Sequence, residues 1–243
     1  MSEFLAVVAI GVLAAILTLL GALVAERVTV RPVFVSHALQ FAGGILTGLV
    51  ALTLMAPAFY AGPITELIVG FFAGGIAFVI LDFYSAKWST SREANSTATP
   101  LTLYIGILID MIIDGIVIGL GSTLTLATGL ALAISIAIST APLALVSIAT
   151  AKTQGKSVKF RRVLSLLFFA AILGGALLGF LVLRNVTLEL RLLVIAIASG
   201  FLIMTVTQSI IPEANRNGEP GFAAASFIAG LSLYALFALV FTV

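Results

Sequence analysis

Two acidic residues, Asp110 and Asp114, fall near the middle of an otherwise apolar run over 101–123. Spaced i and i+4, they share one helix face, with β-carbons about 5–6 Å apart. A lone ionised aspartate at the centre of a membrane helix costs at least ~2.5–3.5 kcal/mol on insertion scales. No Lys, Arg or His sits at midplane anywhere in the chain to offset it. Two carboxylates on one face repel unless a cation lies between them or one is protonated. The chemistry indicated is therefore reversible binding of a mobile cation. The alternative is structural: a protonated Asp bonded to a hydroxyl on a neighbouring helix, serving only to lock the bundle.

Other residues are candidate partners at this depth. The fifth apolar run carries Ser139, Thr140 and Pro142, and a proline inside a helix frees a carbonyl one turn earlier, near Ile138. Hydroxyls and carbonyls suit hard cations, although Ser and Thr serve equally often as backbone-bonding residues in membrane helices. Gly115, Gly119 and Gly121 follow the acids and let another helix approach closely. His37, the single histidine, lies at the start of the second run and reads as an interfacial residue. Phe71, Phe72, Phe168 and Phe169 read as lipid-facing or packing residues, and no cofactor box is implied. The chain has no cysteine, which excludes disulfides, thiolate ligands and cysteine nucleophiles. A serine protease would need a base beside its nucleophile, and His37 is at the membrane edge, so an enzyme is not expected.

These residues must be held by membrane helices. Of 243 residues, 61% are hydrophobic and only 9% charged, with a mean hydropathy of +1.27. An ordinary soluble domain carries about 25% charged residues. Runs of roughly 20 apolar residues, enough to cross a hydrocarbon core, lie near 3–25, 34–59, 63–84, 101–123, 128–151, 160–183, 191–212 and 221–243. The expected fold is an all-α polytopic membrane protein of eight spans in a single domain. The first run lacks a basic leading region and is longer than a signal core, so it reads as a span.

Alternating loops divide the twelve Lys and Arg unevenly. One side holds Arg27, Arg31, Lys87, Arg92, Lys152, Lys156, Lys159, Arg161, Arg162 and Arg216, and the other only Arg184 and Arg191. The positive-inside rule puts the first group in the cytoplasm and both termini outside. The 85–100 stretch reads as a short polar cytoplasmic connector. Glycosylation triplets begin at Asn95 and Asn185, but such short patterns arise by chance and carry little weight. A formal charge of +2 spread over loops argues against nucleic acid as a partner. The expected partner is the lipid bilayer, in a cell membrane, with a homodimer left open.

Internal symmetry is also visible. The second span contains Ala42-Gly43-Gly44-Ile45-Leu46 and ends at Pro57, while the seventh contains Ala198-Ser199-Gly200-Phe201-Leu202 and ends at Pro212. These spans run in opposite directions, as an inverted repeat requires, setting spans one to three against six to eight around a central pair.

With these motifs the chain resembles the ZIP (Zrt/Irt-like) family of divalent metal transporters. Asp110-Met-Ile-Ile-Asp114-Gly115 occupies the position of the family's fourth-span His-Asn-x-x-Glu-Gly pattern, followed by the Gly-rich stretch to Gly121. Gly175-Ala-Leu-Leu-Gly179 resembles its sixth-span Gly-Ala-Leu-Leu-Gly, and Gln208-Ser-Ile-Ile-Pro212-Glu213-Ala214 its seventh-span ending. The resemblance implies eight spans in a three plus two plus three layout, outside termini and uptake of a divalent cation into the cytoplasm. It implies one site, of Asp110 and Asp114 with Ser139 or Thr140, and with Gln208 or Thr53 on spans seven and two as further donors. The chain departs from the family where the fifth span reads Ser139-Thr140-Ala141-Pro142-Leu143-Ala144 and keeps only the proline. It also has Ile172 where the sixth-span glutamate would stand, so the family's second metal position is dismantled. Carboxylates and hydroxyls without imidazole favour manganese, ferrous iron or magnesium, with zinc still able to bind. Two other readings stay open: a proton- or sodium-linked transporter of another solute, and a non-transporting ZIP-like sensor or scaffold.

Overall fold

The computed structural model describes residues 2–28, 31–90, 101–216 and 222–241. Among them the chain is helical throughout, without strands, as its uninterrupted apolar runs demand, because a backbone in lipid must satisfy its own hydrogen bonds. The helices are α1 (Ser2–Arg27), α2 (Pro32–Ala61), α3 (Ile64–Thr90), α4 (Leu101–Leu124), α5 (Leu126–Thr153), α6 (Val158–Leu183), α7 (Leu188–Ala214) and α8 (Ala223–Phe241). The first seven are long and apolar enough to cross a membrane. The 19 residues of α8 span about 28 Å at 1.5 Å per residue, close to a hydrocarbon core. The protein is an all-α polytopic membrane protein.

One expectation changes. The connector anticipated over 85–100 begins later, because α3 continues as helix through Thr90. Polar residues at the end of a span can extend a helix into the headgroup region, so hydropathy marks where the apolar run stops and not where the helix does. Asn95 lies outside the described residues, and Asn185 is exposed in the turn between α6 and α7.

The most extensive helix pairs are α4 with α6, α1 with α5, α2 with α8 and α3 with α7. Exchanging α1 for α6, α2 for α7, α3 for α8 and α4 for α5 maps the first pair onto the second and the third onto the fourth. The packing thus has the symmetry of the inverted repeat. It also sorts the helices into two groups of four. One holds α1, α4, α5 and α6; the other holds α2, α3, α7 and α8. Across the seam α2 meets α5, and α4 meets α3 and α7, less extensively. Where α5 faces α8 the seam opens into an apolar cavity of about 310 Å³ lined in part by Ile45, Ser135, Ile138, Tyr234 and Phe237.

Glycines set the closest approaches. A β-carbon at Gly115 would run into the Ile172 carbonyl of α6, and one at Gly119 into the Ala176 carbonyl. Reciprocally, Gly175 and Gly179 face the carbonyls of Ile112 and Ile116 on α4. In lipid, where apolar burial gives helices little reason to associate, such backbone proximity supplies the van der Waals contact that holds them. Gly44 against Phe227 in α2 and α8, and Gly200 against Phe71 in α7 and α3, repeat the device in the symmetric pairs.

The repeat extends to backbone irregularity. Leu49–Met55 in α2 and Val206–Ile210 in α7 are π-helical. Ala56 N–H reaches the Ala51 carbonyl and Ile211 N–H the Val206 carbonyl, each just ahead of a proline, Pro57 or Pro212. Proline donates no hydrogen bond and crowds the carbonyl four residues back. A widened turn before it accommodates both effects.

Candidate functional site

α4 carries both acids into the interior. Asp110 is 5% exposed and Asp114 is fully buried. The Gly115 and Gly119 contacts clamp α4 to α6 directly beside them, which fixes the turn that bears Asp114. On the α6 side Ile172 is completely buried, so the position that the family resemblance assigns to a second metal is filled by an aliphatic side chain.

The two acids differ in their partners. Thr205 Oγ1, from α7, donates to Asp110 Oδ1 at 2.9 Å. Asp110 therefore has the neighbouring hydroxyl that the structural alternative requires. Asp114 does not: both of its carboxylate oxygens are buried without a hydrogen-bond partner. A buried carboxylate that is neither paired nor hydrogen-bonded is costly. Its open oxygens, one helical turn from Asp110, form the feature that a cation or a proton would satisfy.

The remaining candidates are placed elsewhere in the polar scheme. Ser139 is fully buried and donates to the Ile136 carbonyl of its own helix at 2.8 Å. Thr140, also buried, donates to the same carbonyl at 2.9 Å and lies 2.7 Å from Thr18 Oγ1 on α1. This hydroxyl–hydroxyl contact ties α1 to α5. Ile138, whose carbonyl Pro142 frees, is 43% exposed and borders the apolar cavity. Thr53 is engaged with Tyr234 Oη of α8 at 2.6 Å. Gln208 is exposed within the π-helical turn of α7 and is not buried with the acids. His37 Nδ1 is 2.7 Å from Ser226 Oγ, joining α2 to α8, which makes it a helix-linking residue.

The structure thus brings together Asp110, Asp114 and a residue the sequence did not single out, Thr205. Nothing in the sequence marks Thr205 among the chain's many threonines; only the packing of α7 across α4 selects it. Among the described residues no group of three or more His, Asp or Glu gathers in one place. The side chains that the structure brings together here are two carboxylates and one hydroxyl, all oxygen donors. Such a set suits a partly hydrated hard cation or an exchangeable proton. Comparison of the chain with protein-family models and with curated proteins returns no match.

Proposed function

We propose that this membrane protein is a transporter that carries a divalent cation across the bilayer, with Asp110 and Asp114 as its ligands near the midplane. The observation that carries this reading is the buried Asp114 carboxylate, with both oxygens open one turn from a second carboxylate. The resemblance of the α4, α6 and α7 motifs to the ZIP family supports the same cargo class. An all-oxygen donor set favours manganese, ferrous iron or magnesium over zinc. The symmetric packing of the two helix groups supports alternating access by one group rocking against the other. Ten of twelve Lys and Arg on one set of loops support an orientation with both termini outside, and the family resemblance supports uptake toward the cytoplasm across a cell membrane.

The test is metal uptake into proteoliposomes. Asp110→Ala and Asp114→Ala are expected to reduce manganese uptake to the level of empty vesicles while both proteins remain monodisperse. Wild-type uptake in both variants would refute the proposal. One observation favours a second reading, in which the acids act as a protonation switch for another solute: Asp110 already accepts a hydrogen bond from the Thr205 hydroxyl, so a protein group helps to stabilise its carboxylate. A pH-gradient assay run beside manganese titration separates the two, since the switch reading expects proton movement and no metal binding.

A further inference from the structure

The two halves of the inverted repeat satisfy their helix ends differently. The last carbonyls of a helix lack intrahelical partners, and cations near them are favoured by the helix dipole. At the C-terminus of α1, Lys152 of α5 donates to the carbonyls of Ala25 and Glu26 at 3.3 and 2.9 Å. Arg161 of α6 pairs with the Glu26 carboxylate beside them. All three helices belong to the same group of four.

At the symmetric position, the C-termini of α4 and α6, the cation comes from the other group. Arg191, in the first turn of α7, donates from Nη2 to the Arg184 carbonyl that ends α6, at 2.6 Å. From Nη1 it donates to the Thr123 carbonyl near the end of α4, at 3.2 Å. The first bond stays near the α6–α7 turn and aims the guanidinium. Both bonds run from α7 to the other group, and the second reaches a residue 68 positions away in the chain. Its Nε is buried without a partner. The fork is thus committed to helix-end carbonyls, with no carboxylate at its Nε.

We infer that Arg191 is a gating residue for the transport proposed above: its bond to Thr123 latches α7 to the end of α4 and must break when the two helix groups part there. The inference rests on that transport reading, because it assumes that the group carrying Asp110 and Asp114 moves. Thr123 is nine residues beyond Asp114 on the same helix, about 13 Å along its axis. A latch there acts on the helix that holds the acids without touching the cation itself. Lysine would keep the charge but could not grip both carbonyls as a planar fork does.

The chain has no cysteine, so spin labels can be placed without background. Labels at Leu126 and Leu188, both exposed, report across the seam at this end; labels at Leu126 and Leu181 report within one group. Measured in full-length protein in lipid nanodiscs without metal, Arg191→Gln is expected to lengthen the Leu126–Leu188 distance by about 5 Å, the scale of a one-turn shift between packed elements. The Leu126–Leu181 distance should stay as in wild type, and Arg191→Lys should fall between. An unchanged Leu126–Leu188 distance in Arg191→Gln overturns the latch. So does a change in both distances, which would mean that the bundle has come apart. Because the readout uses no metal, the latch can fail in a protein that binds manganese and hold in one that does not.

Discussion

The two central helices, α4 and α5, are related by the inverted repeat and treat buried polarity in opposite ways. In α5 the hydroxyls of Ser139 and Thr140 are spent on the Ile136 carbonyl of their own helix, and Thr140 adds a tie to Thr18. Every donor there has an acceptor, so the helix gains packing at no polar cost. In α4, at the corresponding depth, Asp110 has one partner on another helix and Asp114 has none. Fully satisfied polar groups stabilise a bundle; a buried carboxylate left open destabilises it until something binds. The comparison puts the open carboxylate on α4 and the satisfied hydroxyls on α5, although both helices present polar side chains near mid-span.

The sharpest way to break this contrast is Asp114→Asn, followed by thermal unfolding with and without manganese. If Asp114 is an open ligand, the wild-type protein gains about 2.7 kcal/mol when free manganese is 100 times the dissociation constant, by mass action. The variant is expected to lose that gain entirely. Without metal its melting temperature should rise, because an uncompensated carboxylate has been replaced by a neutral amide. A wild-type protein whose melting is indifferent to manganese would remove the reason to treat α4 differently from α5.

Thr205→Val asks whether the Asp110 contact belongs to the site or only to the bundle. A hydrogen bond to a charged acceptor contributes about 1.5–3 kcal/mol, and the hydroxyl holds one Asp110 oxygen at 2.9 Å. Losing it is expected to weaken manganese binding by about tenfold, read by isothermal titration. If the melting temperature falls while affinity is unchanged, the bond is a lock between α4 and α7, and Asp114 alone distinguishes the two central helices.

Much of this was legible in the sequence, and the gaps have physical causes. Spans could be placed because hydrocarbon thickness fixes the length of an apolar run, and the acids were conspicuous because charge is rare at such depth. The glycines after Asp114 announced a close helix, and Gly175 and Gly179 supplied its partner face. What could not be read was which hydroxyl faces which helix. Thr205, Thr18 and Tyr234 acquire their roles from rotations of α7, α1 and α8 about their own axes, and a run that is apolar all round carries no periodicity from which to read rotation. The π-helical turns add to this, since each shifts the face of everything beyond it by part of a turn. Gln208 illustrates the consequence: the motif placed it near the acids, and the structure leaves it exposed in such a turn.

The smallest expected effect is also the most discriminating for α5. Ser139→Ala removes a hydroxyl whose hydrogen bond runs only to the Ile136 carbonyl, and that carbonyl still accepts from Thr140. No buried group is left without a partner, so the stability change should stay within about 0.5 kcal/mol and manganese affinity should not move. The side chain is fully buried, so any larger effect would mean that its oxygen turns toward a ligand when one is present. A tenfold loss of affinity in this variant would place α5 in the site after all, and the division between an open helix and a satisfied one would fail at the residue where it is cheapest to test.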